Sequence, residues 1–178
     1  MLEVDRLDSR YGRIPALSGV SLTVGAGELV ALVGANGAGK TTLLRAISGV
    51  QPSSGGSIRF DGADLAPMHA QKRVKLGIVQ VPEGRQVFAP MTVEDNLMAV
   101  LELQEPEKKK RAARAEELIH GLGLDTVRKS MAAVLSGGER RRLEIARAMS
   151  LRPRVILFDE PFSGIDPIAV GEIQQILR

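Results

Sequence analysis

The sequence contains no cysteine and no tryptophan, and only 3% of its 178 residues are aromatic. Without cysteine the chain can form neither a disulfide framework nor a thiolate zinc site, and two histidines at unrelated positions, His69 and His120, make a poor metal cluster. The scarcity of aromatic side chains argues against a base-stacking surface, and a net charge of +3 with both signs interspersed does not indicate a basic arm. No nucleic-acid partner is therefore expected.

Long hydrophobic runs are also missing. The longest apolar stretches, such as Leu29–Val33 and Val155–Phe158, are much shorter than the roughly 18 residues that cross a bilayer. The first residues alternate apolar with acidic side chains and lack the basic start and apolar run of a secretion signal. We expect a cytoplasmic protein that reaches the inner face of the cell membrane only through a partner.

The apolar pattern changes its period along the chain. Strand-like runs are found at Val20–Val24, Leu29–Val33, Ser57–Phe60, Leu76–Val81 and Val155–Phe158, with a helical pattern at Thr42–Ile47. Helical spacing dominates at Val93–Leu103, Pro106–His120 and Gly138–Met149. The continuously apolar run Leu29–Val33 predicts a buried central strand. These patterns predict a single α/β domain, with its core formed by residues 1–82 and 152–178 and a helical insert at about 83–151.

A glycine-rich loop provides the first chemical signal. Residues 34–41 match G-x-x-x-x-G-K-[ST] and lie between a predicted strand and a predicted helix, as this phosphate-binding motif requires. Backbone N–H groups and the helix N-terminus can bind a triphosphate, Lys40 can reach its β- and γ-phosphates, and Thr41 can bind Mg²⁺. The predicted ATP-binding residues are Gly34, Asn36, Gly37, Ala38, Gly39, Lys40, Thr41 and Thr42.

Two carboxylates after the last predicted strand complete such a site. Asp159 ends the apolar run Val155–Phe158, where it can hold Mg²⁺, and Glu160 follows directly. A carboxylate in that position can orient and deprotonate the water that attacks the γ-phosphate. We predict Asp159 as a metal-binding residue and Glu160 as the catalytic base.

A second anion-binding surface is predicted at the start of another helix. Ser136, Gly137, Gly138 and Glu139 combine a hydroxyl, two glycines and a helix N-terminus. Ser136 with Glu139 three residues later also fits a capping box, in which the two residues close the helix end. Since the first loop already accommodates a triphosphate, the second surface most simply serves the nucleotide of another chain.

In their order along the chain, these motifs resemble those of the ABC-transporter ATPases, and the resemblance covers nearly the whole sequence. It implies a P-loop core with a helical subdomain, pairing with a second ATPase subunit, and permease partners in the membrane. Each ATP would lie between one chain's phosphate loop and the other's Ser-Gly-Gly segment. It further implies that Tyr11 stacks on adenine and that the loop ending at Asp166 communicates across the dimer.

The two halves of the sequence resemble different branches of this family. Residues 50–97 are similar to the ATPases of branched-chain amino-acid importers, and residues 95–101, 135–148 and 159–167 to lipopolysaccharide-export ATPases. Both solutes stay open, and a composite joined near residues 93–101 is one explanation of the change. ABC-type ATPases that act on ribosomes or DNA share the motifs, but a single phosphate loop and few aromatics count against them.

The sequence departs from the family pattern at two places. Glu83 occupies the position where most members have a glutamine that senses the γ-phosphate, and we expect Glu83 to act there through metal-bound water. The family's later switch histidine is absent, and a helix suggested by Ile168, Ile173 and Leu177 is still running at Arg178. The resemblance therefore predicts an ATPase truncated at its C-terminus. As an alternative, the chain is an ATP-binding dimerisation module with little hydrolysis.

Overall fold

The computed structural model describes residues 1–84 and 86–160. These residues fall into two compact units, and the division along the chain lies between Gln80 and Val81. The predicted site residue Asp166 and the predicted last helix lie outside the described residues.

An antiparallel sheet dominates the first unit. Its four strands lie in the order β2-β1-β3-β4, with the bounds β1 Leu2–Tyr11, β2 Ile14–Val24, β3 Ser53–Phe60 and β4 Ala63–Asp64. Strands β1 and β2 form a hairpin through Gly12 and Arg13, and Gly12 has a φ of 60°. A two-residue hairpin of this kind favours glycine because its twist requires positive φ.

Two helices accompany this sheet. Helix α1 spans Lys40–Ser48 and α2 spans Ala70–Lys75. Leu43, Leu44 and Ile47 of α1 are buried in the core of the unit, which confirms the helix predicted at Thr42–Ile47. Strand β5, Ile78–Val81, confirms the strand predicted at Leu76–Val81.

The strand predicted at Leu29–Val33 was wrong. The structure gives these residues no regular secondary structure, and Leu29 and Val33 are 86% and 95% exposed. An apolar run becomes a central strand only when neighbouring strands satisfy its backbone N–H and C=O groups on both sides. Among the residues that the structure describes, no strand pairs with this run.

The second unit begins at Val81 and is mainly helical. Helix α3 spans Val93–Leu101, α4 spans Lys108–Gly121 and α5 spans Gly137–Ser150, with 3-10 turns at Asp125–Val127 and Ala132–Val134. One apolar cluster packs the helices together, and its least exposed large members are Val93, Leu97, Ile119, Leu124, Leu143 and Ile145. The three predicted helices are confirmed, although α3 ends two residues earlier than its apolar pattern suggested.

The last described strand, β6, spans Val155–Phe158 and confirms the predicted strand. Immediately after it, the N–H of Asp159 donates to the carbonyl oxygen of Val81 at 3.0 Å. This bond fixes the backbone of Asp159 at the end of the strand. None of the helices in residues 1–84 and 86–160 is long and apolar enough to span a bilayer.

Candidate nucleotide-binding site

The glycine-rich loop turns directly into α1. Gly37 and Gly39 have φ angles of 81° and 95°, a region that L side chains rarely adopt. A Cβ at Gly39 would lie 2.8 Å from the carbonyl oxygen of Ala16 and 2.9 Å from Leu17 Cδ2. Gly39 is therefore required both for its backbone angle and for its close approach to β2.

The Lys40 side chain forms hydrogen bonds with the start of the same loop. Its ammonium group donates to the carbonyl oxygens of Gly34 at 2.8 Å and Ala35 at 2.9 Å. Gly39, the residue before α1, offers the helix no side-chain cap, and the first turn contains no acidic residue. The N–H groups of this turn and the Lys40 charge thus form an environment suited to an anion.

The far end of α1 is held by a buried arginine that the sequence reasoning missed. The Arg73 guanidinium, only 6% exposed, donates to the carbonyl oxygens of Ala46 at 2.7 Å and Ile47 at 2.9 Å. It also donates to Met68 and Leu65. Burial lowers the pKa of Arg73 from its ordinary value. A positive charge at a helix C-terminus is favourable, so Arg73 stabilises the helix that carries the phosphate loop.

Gln80 and Glu83 have different surroundings. The Gln80 Oε1 atom accepts a hydrogen bond of 2.7 Å from Ser48 Oγ at the end of α1. Glu83 is exposed, and it lies between Pro82 and Gly84, whose φ is 97°. Only the amide oxygen of Gln80 has this partner, and its buried Nε2 atom has no hydrogen-bond partner among the residues that the structure describes. The nucleotide-sensing role of Glu83 stays a prediction.

Asp159 and Glu160 have contrasting environments at the end of β6. Asp159 is 2% exposed, whereas Glu160 is exposed. The φ of Glu160 is 45°, in the left-handed region that non-glycine residues rarely occupy. Arg6, Asp61 and Arg152 have similar positive φ angles, so this angle alone does not distinguish Glu160, and its role as the catalytic base stays a prediction.

Ser136 caps α5, as the sequence predicted. Its Oγ accepts from the N–H of Glu139 at 3.3 Å, and the N–H of Ser136 donates to Glu139 Oε2 at 2.8 Å. The Ser136 hydroxyl lies 2.7 Å from the same carboxylate oxygen. These bonds from the Ser136 side chain and backbone lower the pKa of Glu139. Gly137 and Gly138 form the first turn, where backbone N–H groups have no partner within the helix.

Tyr11 lies at the end of β1, opposite Ile14 in the hairpin, and its side chain is exposed. An exposed aromatic ring at the tip of a hairpin is available for stacking. The same hairpin contains Ala16 and Leu17, which contact Gly39, so the hairpin that carries Tyr11 also contacts the phosphate loop. The adenine-stacking role of Tyr11 stays a prediction.

The donors predicted for a metal ion are hard oxygen atoms. No cluster of three or more His, Cys, Asp or Glu side chains occurs in the described parts of the chain. Mg²⁺ does not need one, because it usually takes one or two carboxylates and fills its other positions with water and phosphate oxygens. The Thr41 hydroxyl and the Asp159 carboxylate are donors of this class, so the residues present fit the ion.

Comparison with known proteins shows the family. The family model described as ABC transporter matches residues 17–163. The chain is 48% identical over 172 residues to a probable ABC transporter ATP-binding protein of Azorhizobium caulinodans, a match that covers 97% of this chain and 61% of the relative. It is 43% identical over 180 residues to the lipopolysaccharide export system ATP-binding protein LptB of Escherichia coli K12, covering 99% of this chain and 74% of LptB. The chain belongs to the ABC transporter family of ATP-binding proteins.

Solved structures give the same fold. A nucleotide-free ATP-binding cassette from an ABC transporter superposes with a TM-score of 0.90 at 27% identity, covering 99% of this chain and 75% of that chain. A dimeric cassette in a post-hydrolysis state bound to ADP and Pi gives 0.88 at 26% identity, covering 99% and 81%. The predicted P-loop fold of the ABC ATPase type is thereby confirmed. The chain spans 61% and 64% of the length of the first two curated relatives.

Proposed function

We propose that this protein binds MgATP and hydrolyses it to drive an ABC transporter. The observation that carries this proposal is the geometry at the start of α1. Gly37 and Gly39 adopt positive φ, Lys40 lies across the loop, and the first turn of the helix is uncapped. Together these features provide the backbone donors and the cation that a triphosphate needs.

Each site residue has a defined role in this proposal. Lys40 stabilises the charge on the β- and γ-phosphates, and Tyr11 stacks on the adenine. Thr41 and Asp159 would hold Mg²⁺, which would neutralise charge on the phosphates. Glu160 would accept the proton of the attacking water, and Glu83 would act at the γ-phosphate end of the site through a water on the metal ion.

We also propose that the protein works as a dimer. Ser136, Gly137, Gly138 and Glu139 would contact the nucleotide held by the partner's phosphate loop, and Asp166 would contribute to communication between the two chains. The exposed N-terminus of α5 supports this arrangement, because its first-turn N–H groups are suited to an anion. A structural relative is itself described as a dimer bound to ADP and Pi.

An apolar surface in the second unit is a candidate docking site for a permease. Two adjacent segments, 88–91 and 131–134, are joined by a hydrogen bond from the N–H of Ala132 to the carbonyl oxygen of Met91 at 2.9 Å. They present exposed apolar side chains from Phe88, Met91, Met131 and Val134. Apolar clusters of this kind on a protein surface commonly mark interaction sites.

The buried side-chain amide of Asn96 holds the backbone that carries this surface. Asn96, fully buried in α3, accepts a hydrogen bond from the Phe88 N–H at 2.8 Å and donates to the carbonyl oxygens of Phe88 and Thr92 at 3.0 and 2.9 Å. The docking surface is therefore held in a defined shape before a partner binds, which reduces the entropy lost on association.

For the solute, we favour lipopolysaccharide export. Several relatives with 41–43% identity over nearly the whole chain are named as LptB of the lipopolysaccharide export system. Branched-chain amino-acid uptake is the alternative indicated by residues 50–97. Transport by the complete protein reconstituted with the permeases that copurify with it separates the two: ATP-dependent transfer of lipopolysaccharide supports export, and leucine uptake contradicts it.

The ATPase proposal is tested by phosphate release from the complete protein at saturating MgATP. We expect steady turnover by the parent, and a loss of at least about 100-fold in Glu160→Gln without loss of ATP binding, because the amide cannot accept the proton. Binding without turnover by the parent would favour the dimerisation module instead. Hydrolysis by Glu160→Gln at the parent rate would exclude Glu160 as the base.

A further inference from the structure

Two buried, oppositely charged side chains of α5 contact the segment that carries Glu83. We call residues 82–84 and 86–88 the Glu83 segment. Glu144 Oε1 accepts a hydrogen bond of 3.1 Å from the N–H of Gln86, and Arg141 donates to the carbonyl oxygen of Pro82 at a longer 3.4 Å. The two contacts lie on opposite sides of Glu83 in sequence, so α5 holds both ends of its backbone.

Arg141 and Glu144 also bind each other. Arg141 donates to Glu144 Oε2 at 2.8 Å, and both side chains are only 7% exposed. Burying two charges is costly, and a buried pair often adds little net stability compared with apolar side chains. The pair is better explained by the segment that it orients. The ion pair holds both side chains in position, and each side chain makes a further hydrogen bond to the backbone of the Glu83 segment.

A third residue extends the contact by one helical turn. Arg147 donates to the carbonyl oxygen of Gln86, and its guanidinium lies 4.4 Å from the centroid of the Phe88 ring. Phe88 is part of the apolar docking surface described above. Side chains at positions 141, 144 and 147, spaced three residues apart on α5, thus contact the Glu83 segment between Pro82 and Phe88.

We infer that Glu144 is a positioning residue that couples the two ATP sites of the dimer within each chain. This inference depends on the proposed function, in which Glu83 serves the chain's own nucleotide and Ser136 serves the partner's. Glu144 bonds the Glu83 segment to the middle of α5, and Ser136 caps the start of the same helix, so a displacement of the segment is carried along the helix to that end. Nucleotide bound at one site then changes the geometry of the second site.

The test is the dependence of phosphate release on MgATP concentration in the complete protein. With two coupled sites the Hill coefficient of the parent lies between one and about two, and we expect Glu144→Ala to lower it to about one. Glu144→Gln retains an oxygen for the Gln86 N–H but loses the ion pair, so it should retain most of the coupling. ATP binding to the phosphate loop should be unchanged in both variants.

Two further variants exclude a purely structural role. Arg114 and Glu117 form a pair of the same spacing on α4, at 2.9 Å, in which Glu117 is exposed, so Glu117→Ala is the matched control and should leave the Hill coefficient unchanged. Exchanging the charges, Arg141→Glu with Glu144→Arg, restores the ion pair but leaves the Gln86 N–H without an acceptor. We expect the exchanged protein to regain stability but not coupling.

Two outcomes would overturn the inference while leaving the ATPase proposal intact. One is a cooperative parent whose Hill coefficient is unchanged in Glu144→Ala. The other is full recovery of coupling by the charge exchange, because the ion pair alone would then be sufficient. If the parent releases no phosphate, the proposed function itself fails. This failure is distinguished from failure of the inference because it is measured on the parent alone.

Discussion

The guanidinium of Arg73 donates to the carbonyl oxygen of Ala46 at 2.7 Å, in the last turn of the helix that begins at Lys40. This contact joins a buried positive charge to the C-terminal end of α1, opposite the end that forms the phosphate loop. The backbone at this end leaves little spare room, since a Cβ at Gly49 would lie 2.8 Å from Arg73 Nε.

We predict that Arg73→Met lowers the free energy of unfolding by about 3 kcal/mol or more, because several buried carbonyl oxygens lose a charged donor. Urea unfolding of the variant and the parent measures the difference. Lys72→Met is the control, since Lys72 is exposed on the same helix. A change in Arg73→Met as small as that of the control would show that water replaces the guanidinium at little cost.

Lys40→Ala should weaken ATP binding by about 10- to 100-fold, since it removes a charge-assisted contact with the terminal phosphates. Titration of the folded variant with MgATP tests this, with Lys75→Ala as a control because Lys75 is exposed on α2. Unchanged affinity in folded Lys40→Ala would remove the basis for the nucleotide site.

Ser136→Arg should block ATP-dependent dimerisation while leaving ATP binding to the chain's own phosphate loop unchanged, because the larger side chain occupies the space proposed for the partner's nucleotide. Sedimentation with and without ATP measures association. Ser136→Ala separates the effect of bulk from the loss of the helix cap, which costs about 1 kcal/mol. Equal dimerisation by Ser136→Arg and the parent contradicts the proposed arrangement.

The stability of the second unit should depend on pH through Glu94. Hydrogen bonds from Arg128 and then Lys129 lower the pKa of Glu94 to about 2. A carboxyl group with a lowered folded pKa stabilises the protein above its unfolded pKa of about 4.3, and this contribution is lost as the pH falls towards about 2. Glu94→Gln should therefore be less stable than the parent by about 1–3 kcal/mol at neutral pH.

The difference in free energy of unfolding between Glu94→Gln and the parent should decrease as the pH is lowered from about 4.3 to about 2. Denaturant unfolding across that pH range measures it. A matched variant is Glu107→Gln, because the Glu107 carboxylate pairs with Lys110 at the exposed start of α4. That variant should show little difference at any pH. A Glu94→Gln difference that does not vary with pH would argue against the ion pairs as its cause.

The phosphate loop, the helix that follows it and the cap of α5 could be predicted from the sequence because each depends on residues close together along the chain. Gly39, Lys40 and the pair Ser136 and Glu139 act within a few residues of one another. The strand predicted at Leu29–Val33 was wrong because hydrophobicity alone does not specify which strands will pair with a segment.

Arg73 and Glu144 could not be recognised in the sequence because their partners are distant or are backbone atoms. Charged side chains are usually exposed, so nothing in the sequence marks either residue as buried. The carbonyl oxygens that Arg73 binds lie up to 27 residues away, and Gln86 lies 58 residues from Glu144. No spacing rule connects residues at such separations.

The hydroxyl of Ser136 has only one proton, and an ionised Glu139 has none to offer, so the 2.7 Å contact between them uses the proton of the serine. A phosphate that binds at this end of α5 must accept the hydrogen bond that the Ser136 hydroxyl now donates to Glu139, or rely on the N–H groups of Gly137 and Gly138. In the proposed dimer, nucleotide recognition here would be an exchange, in which a hydrogen bond within the helix is replaced by one to the ligand. Glu139 would then select against anions that cannot compete for the Ser136 hydroxyl.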